Sequence, residues 1–139
     1  MEAENRHTLG KAERLRGKKA FGELVASGKG FTAYPLRVVW LLVPCDGEPV
    51  RMAVSVSKRR FKRAVKRNRV KRLVREGYRL HKHPIRALVP PGRALHLLFV
   101  YIHDELPDYP MIEKAIAHVT RKLAQSLALP GGVDAPAAD

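Results

Sequence analysis

Cysteine and acidic residues are both scarce in this chain of 139 residues. Cys45 is the single cysteine, so an intrachain disulfide and a thiolate zinc site are excluded. The 13 acidic residues face 27 Lys and Arg residues, which gives a net charge of +14. A chain this basic is expected to bind a polyanion, and nucleic acid is the first class of partner to consider.

Long apolar runs are also missing. No stretch approaches the roughly 18 apolar residues that a membrane-spanning helix needs. The opening residues, MEAENRHTLGKAERLRGKKAF, contain no apolar core of the kind found in secretion signals. We therefore expect a soluble cytoplasmic protein that does not bind membranes.

Groups suited to acid–base chemistry are few. Cleavage of RNA by the protein itself would need a general acid and base, or carboxylates that hold metal ions. Glu76 is the only acid in the range 49–103. The nearby acids Asp104, Glu105 and Asp108 are explained more simply by loop solvation and helix capping.

Two other features have simple explanations. Neither Ser55 nor Ser57 has a base beside it in the sequence, so neither is assigned as a nucleophile. His81 and His83 supply two imidazoles without a third ligand nearby, which is an incomplete metal site. The sequence therefore predicts no catalytic residue and no metal site.

The most informative segment is the basic run between Lys58 and Arg75, KRRFKRAVKRNRVKRLVR, in which eleven of eighteen residues are Lys or Arg. On a helix, one side would carry Val70, Leu73, Val74, Gly77, Tyr78 and Leu80. The opposite side would carry Arg67, Asn68, Lys71, Arg72, Arg75 and Arg79. A solvated helix face is the simpler alternative, but so many cations without acids repel each other unless a partner supplies negative charge.

The other elements follow from local patterns. We predict a helix over 18–27 that Gly28 ends, strands over 31–43, 51–58 and 95–102, and a final helix capped by Asp108. The first two strands are expected to form an antiparallel hairpin, and a loop is expected to begin at His81. The third strand, LHLLFVYI, is too apolar for a sheet edge. Residues 1–13 and 130–139 are expected to be flexible, around one domain over 14–129.

The stretch from Ser55 to Arg79, SVSKRRFKRAVKRNRVKRLVREGYR, resembles the signature region of the bacterial ribonuclease P protein subunit, whose hallmark is Arg-Asn-Arg on a basic helix. RLRGKKAFGELVASGKGF resembles the N-terminal segment of that family, with Phe21 at its phenylalanine position. The resemblance extends over roughly residues 14–127. It implies an α+β fold, a two-layer sandwich of a small mixed sheet with N-terminal, central basic and C-terminal helices, as in the second domain of ribosomal protein S5. It also implies a left-handed βαβ crossover, whereas general rules favour the right hand.

The resemblance further implies a protein that assists a catalytic RNA in removing the 5′ leader of precursor tRNA. The residues expected to bind the catalytic RNA are Lys66, Arg67, Asn68, Arg69, Lys71, Arg72, Arg75 and Arg79. The residues expected to bind the leader, in a cleft between the N-terminal helix and the sheet, are Phe21, Trp40, Ser55, Ser57, Lys58 and Arg59. Cations suit phosphates and aromatic faces suit unpaired bases, although core packing explains Phe21 and Trp40 equally well.

No cofactor is expected on the protein alone, and magnesium is expected in the holoenzyme through the RNA. The expected partners are the catalytic RNA and precursor tRNA, with no protein partner. The chain departs from the family pattern where RRFKR replaces Gly-Asn before the helix, where Val25 replaces an aromatic, and where Ala53 replaces a glycine. The alternatives are a structural RNA-binding protein such as a ribosomal component, and a nuclease that acts without RNA.

Overall fold

The computed structural model describes residues 13–44 and 47–128. The elements are α1 (Lys18–Ser27), β1 (Lys29–Ala33), β2 (Leu36–Pro44), β3 (Val50–Ser55), α2 (Ala64–Arg86), β4 (Arg93–Tyr101) and α3 (Tyr109–Ala128). The terminal segments predicted to be flexible lie outside these residues, apart from Glu13, and so does Cys45. Within the described ranges, no helix has the length and apolarity that crossing a membrane requires.

The sheet has the strand order β1-β2-β4-β3. β2 is antiparallel to both β1 and β4, whereas β3 is parallel to β4. The predicted hairpin between the strands over 31–43 and 51–58 is therefore wrong, because β4 lies between them. Nearly every residue of β4 is buried, so this strand needs a neighbour on each side, as its apolar sequence predicted. The hand of the β3-α2-β4 crossover stays a prediction.

The hairpin forms instead inside the single strand predicted over 31–43. Ala33 pairs with Leu36, so Tyr34 and Pro35 form a two-residue turn between β1 and β2, with a cis peptide bond between them. Pro35 has no N–H to donate to a strand ladder, which favours a turn at this point over an unbroken strand.

The main core lies between one face of the sheet and the two long helices. It contains Leu36, Val38, Trp40 and Leu42 of β2, Leu95, Leu97 and Phe99 of β4, Val70, Val74 and Tyr78 of α2, and Ile112, Ile116, Val119 and Leu123 of α3. Gly77 lets α2 and α3 approach closely, since a Cβ there would lie 3.0 Å from Cγ2 of Ile112. The Asp108 cap is confirmed, because its Oδ1 accepts a hydrogen bond from the N–H of Met111 at 3.0 Å.

A smaller cluster covers part of the other face of the sheet. Leu15, Leu24 and Leu98 are buried there, and Phe21, Val39, Leu41, Ala53 and Val100 are partly buried against them. The bounds predicted for α1 are confirmed, and the Gly28 N–H bonds to the Leu24 carbonyl at 2.8 Å. Val25 is 69% exposed, so it does not pack against this cluster.

The helix α2 continues to Arg86 through a kink, where the sequence predicted a loop from His81. His81 has φ −124° and ψ 24°, outside the helical range. Pro84 is the cause, because its ring crowds the carbonyl of Leu80 and it cannot donate the expected hydrogen bond. Burial of Ile85 in the main core explains why the chain stays helical beyond the kink.

The last turns of α2 hold the segment before α1 in place. The ammonium of Lys82 donates to Glu13 Oε1 at 2.7 Å, and both side chains are almost fully buried. Arg86 pairs with Glu48 and lies 3.5 Å from the same Glu13 oxygen. The N–H of Leu15 bonds to the Met52 carbonyl at 2.9 Å. Burial, followed by the charge of Glu13, raises the pKa of the nearby Tyr78 hydroxyl.

Candidate nucleic-acid interface

The helix α2 has an apolar side and a cationic side, as its sequence predicted. Val70, Val74, Gly77 and Tyr78 are buried. The residues predicted to bind RNA divide by exposure. Lys66, Asn68, Arg69 and Arg72 are exposed, whereas Arg67, Lys71, Arg75 and Arg79 are partly buried. Leu80 is 37% exposed, so it does not belong to the apolar side.

Few of these cations have a carboxylate partner in the part of the protein that the structure describes. Arg79 is paired with Glu76, one turn earlier, at 2.5 Å. Its hydrogen bond lowers the pKa of Glu76 and raises that of Arg79. Within residues 13–44 and 47–128, no ion pair neutralises Arg69 or Arg72. The cations of this face therefore repel each other, and the packing of the opposite, apolar side of α2 keeps the helix in place.

Arg75 lies at the edge of this face, close to another cation. Burial, and after it the charge of Arg14, lowers the pKa of the Arg75 guanidinium. Arg14 belongs to the segment that forms a bridge with Met52. The N-terminal segment thus adds positive charge beside α2, which increases the attraction of this region for a polyanion.

Arg67 differs from the other predicted RNA contacts, because its side chain points back to the protein. Its Nη1 donates to the carbonyls of Phe61 and Lys62, each at 2.8 Å. The first arginine of the Arg-Asn-Arg sequence therefore holds the loop that enters α2. No sequence pattern signals a bond of this kind between a side chain and backbone carbonyls five and six residues earlier.

The loop between β3 and α2 contains the RRFKR sequence and is well fixed. Arg60 donates to Asp104 Oδ1 at 2.7 Å. Phe61 is buried against Tyr101, with ring centroids 6.1 Å apart. The Ser57 hydroxyl accepts a hydrogen bond from the Arg59 N–H at 2.9 Å. With its backbone held in this way, the loop presents Lys58, Arg59, Lys62 and Arg63 as exposed cations next to the start of α2.

The open face of the sheet forms a shallow groove beside α1. In register across the sheet, Val39 lies next to Leu98 and Leu98 next to Ala53, while Ser55 lies next to Val100. Phe21 packs against this face and remains partly exposed. A cavity of about 400 Å³ at one end of the groove is lined by Ser57, Arg59, Arg60, Val100, Tyr101, Ile102 and Asp104. The structure therefore brings Phe21 and Ser55 to one face, with Ser57 and Arg59 at its end.

Trp40 is not part of this groove. It is 4% exposed and belongs to the main core, on the face of the sheet opposite Phe21. The prediction that Phe21 and Trp40 line one cleft is therefore wrong. Trp40 is instead packed in the core, which was the alternative explanation for this residue. The sequence did contain a signal for this burial. Side chains of a strand point alternately to its two faces, so Trp40 lies on the same face as the apolar residues Val38 and Leu42.

Sequence reasoning missed two polar residues at the other end of the groove. Arg51 and His96 are neighbours across β3 and β4. Arg51 Nε and His96 Nδ1 are buried, and neither has a hydrogen-bond partner within the described residues. Burial, and after it the charge of Arg51, lowers the pKa of His96. His96 was overlooked because it stands inside an apolar strand.

Comparison with known proteins identifies a family for this chain. The model of the family described as Ribonuclease P matches residues 9–124. A ribonuclease P protein component of Porphyromonas gingivalis is 45% identical over 114 residues, which cover 78% of this chain and 80% of the relative. The ribonuclease P protein component of Chlorobaculum tepidum is 33% identical over 128 residues, with coverage of 84% and 83%.

Solved structures share the fold. The RNase P protein of Staphylococcus aureus superposes with a TM-score of 0.61 at 22% identity, over 81% of this chain and 95% of that one. The RNase P protein of Thermotoga maritima gives 0.61 at 21% identity, over 79% and 96%. The α+β architecture, a mixed four-stranded sheet with three helices, is therefore the one known for such proteins.

Proposed function

Because this chain belongs to the ribonuclease P protein family, we propose that it binds the catalytic RNA of that endoribonuclease and assists removal of the 5′ leader from precursor tRNA. The observation that carries the proposal is the exposed face of α2, where Arg69 and Arg72 have no carboxylate partner among the described residues. Phosphates of a structured RNA would supply the missing negative charge.

The face suits a phosphate backbone because it is preorganised. Val70, Val74 and Tyr78 fix α2 on the core, so its cations keep their spacing before RNA arrives. A guanidinium can bind one phosphate through two parallel hydrogen bonds, and Asn68 can donate to a phosphate or ribose oxygen. These residues bind and orient RNA, and none of them is assigned a catalytic role.

The groove on the open sheet face is the proposed site of the leader. Its floor of small and apolar side chains, with Phe21 at one side, suits the unpaired bases of a single strand. Ser55 and Ser57 can bond to the backbone of the strand, and Lys58 and Arg59 can bind its phosphates. Stacking on Phe21 discriminates little between bases, as leaders of different sequence require. Trp40 supports this groove only from beneath, through β2.

Bond cleavage is assigned to the RNA subunit. Among residues 13–44 and 47–128, no group of three or more His, Cys, Asp or Glu side chains could hold a metal ion. Any magnesium ions in the assembly would then be bound by RNA phosphates, as hard cations prefer oxygen ligands. The contribution of this chain is to screen the charge of the two RNAs and to position the leader.

The experiment is to add the purified chain to a bacterial ribonuclease P RNA at low magnesium concentration and to follow 5′ cleavage of precursor tRNA. We expect stimulated cleavage. If about six phosphates are neutralised, affinity for the RNA should fall about a thousandfold between about 50 and 200 mM salt. RNA binding without stimulation would favour a structural role, such as that of a ribosomal component. Cleavage by the chain alone would contradict the proposal.

A further inference from the structure

A second cationic site lies at the other edge of the sheet, away from β3. A cavity of about 540 Å³ separates the β1–β2 turn from α3. It is lined by Thr32, Ala33, Tyr34, Lys114, Ala115, Ala117, His118 and Arg121. Since β1 and β3 form opposite edges of the sheet, this cavity is separate from the groove end at Ser57.

The charge around the cavity is of one sign. Lys114, His118 and Arg121 follow each other at spacings of four and three residues, which places them on one face of α3. Among the described residues that line the cavity, none is Asp or Glu. Within the described ranges, neither Lys114 nor Arg121 forms an ion pair. Arg121 Nη2 instead lies 3.5 Å from Nδ1 of His118.

An aromatic ring stands beside these cations. Tyr34 is 58% exposed at the tip of the β1–β2 turn, so core packing does not explain it. Its hydroxyl is 2.6 Å from Nδ1 of His103, and the two rings meet edge to face with centroids 5.5 Å apart. The ring is therefore held in place with much of its surface open to a ligand.

We propose that this cavity is a second RNA-binding site, which takes one unpaired nucleotide. The base stacks on Tyr34, and the flanking phosphates bind Lys114 and Arg121. An acidic peptide would match the charge but would leave the fixed aromatic face without a purpose, whereas an unpaired nucleotide uses both. The volume falls within the range of roughly 300–1,000 Å³ that is usual for small-ligand pockets. This inference rests on the proposed function, because it assumes that the chain binds RNA.

The test compares the full chain with its Tyr34→Leu and Arg121→Gln variants. One measurement is the dissociation constant for ribonuclease P RNA, and the other is that of the assembled complex for precursor tRNA. We expect both variants to raise the same one of these two dissociation constants by about fivefold or more, because each variant removes a stacking or phosphate contact. The affected measurement identifies which RNA supplies the nucleotide. Tyr34→Phe, which keeps the ring, should retain most of the affinity.

Lys122→Gln is the matched control, because it removes the same charge from the same helix at a residue that does not line the cavity. Thermal unfolding of each variant checks that the fold is intact.

Unchanged binding in both Tyr34→Leu and Arg121→Gln, while Arg72→Gln weakens it, would overturn this inference and leave the proposed function standing. Unchanged binding in Arg72→Gln as well would count against the proposed function itself. Binding of a glutamate-rich peptide that Arg121→Gln weakens, with RNA binding unaffected, would assign the cavity to an acidic protein segment and overturn the inference.

Discussion

The guanidinium of Arg67 donates a hydrogen bond to the backbone carbonyl of Phe61 at 2.8 Å. The same nitrogen also donates to the carbonyl of Lys62. Arg67 thereby links the first turn of α2 to the loop that carries the extra basic residues of this chain. Its contribution to RNA binding would then pass through the position of the loop rather than through a phosphate contact of that nitrogen.

We expect Arg67→Ala to loosen this loop. Loss of hydrogen bonds from a charged donor should lower the free energy of unfolding by about 1–3 kcal/mol. Amide hydrogen exchange at residues 58–63 should become faster, and a chemical denaturation curve would measure the stability. Arg69→Ala is the control, because Arg69 is exposed and makes no ion pair within the described residues. Equal exchange rates in the two variants would contradict a positioning role.

Arg72 and Arg79 should differ in their effect on RNA binding. Arg72 is exposed, whereas Arg79 is already paired with Glu76. We expect Arg72→Gln to weaken RNA binding and to reduce the slope of log affinity against log salt by about 0.9, the contribution of one phosphate contact. Arg79→Gln should change the slope less, because Glu76 already neutralises that charge. Titrations at several salt concentrations measure both, and identical slopes would show that the pairing with Glu76 does not persist in the complex.

Substitutions of Trp40 and Phe21 should have different effects, the first on stability and the second on recognition of the leader. Trp40→Ala removes a large side chain from the main core and should cost about 3–5 kcal/mol of stability. Its effect on tRNA binding should be equal for precursor and mature forms. Phe21→Ala should instead reduce the preference for precursor tRNA, because only the precursor has a leader to stack on this ring. A stable Trp40→Ala protein with a selective loss of precursor binding would show that Trp40 does reach the leader.

Local signals in the sequence were sufficient for much of this fold. The bounds of α1, the Asp108 cap and the interior place of β4 each depend on neighbouring residues or on the apolarity of one segment. Strand pairing was predicted wrongly because it depends on β4, which enters the sheet between two strands that are consecutive in the sequence. The division of α2 into two sides was likewise predictable, but the direction of the Arg67 side chain depends on a loop whose backbone no local pattern defines.

His96 should make stability depend on pH. Burial lowers the pKa of its imidazole in the folded protein, so the unfolded chain binds a proton more readily. Above the ordinary histidine pKa of about 6.5 both states are neutral and the effect vanishes. As the pH falls below that value, protonation favours the unfolded state. We expect His96→Gln to flatten the decline in unfolding free energy between about pH 7 and pH 5, measured by denaturation at each pH. An unchanged decline would rule out His96 as its source.

Gly77 and Gly22 offer a matched pair of helical glycines with opposite expectations. A Cβ at Gly77 would lie 3.0 Å from Cγ2 of Ile112 and 3.3 Å from Cγ1 of Ile116, so Gly77→Ala should force these side chains to shift by a few tenths of an ångström. Overpacking of this kind costs about 1–3 kcal/mol. At Gly22 no atom lies within 4 Å of the added Cβ. Gly22→Ala should therefore raise stability by about 0.4–1 kcal/mol, since alanine restricts the unfolded chain. Chemical denaturation measures the free energy of unfolding of both variants. If Gly77→Ala raised it, the two helices would be packed less closely than in this structure.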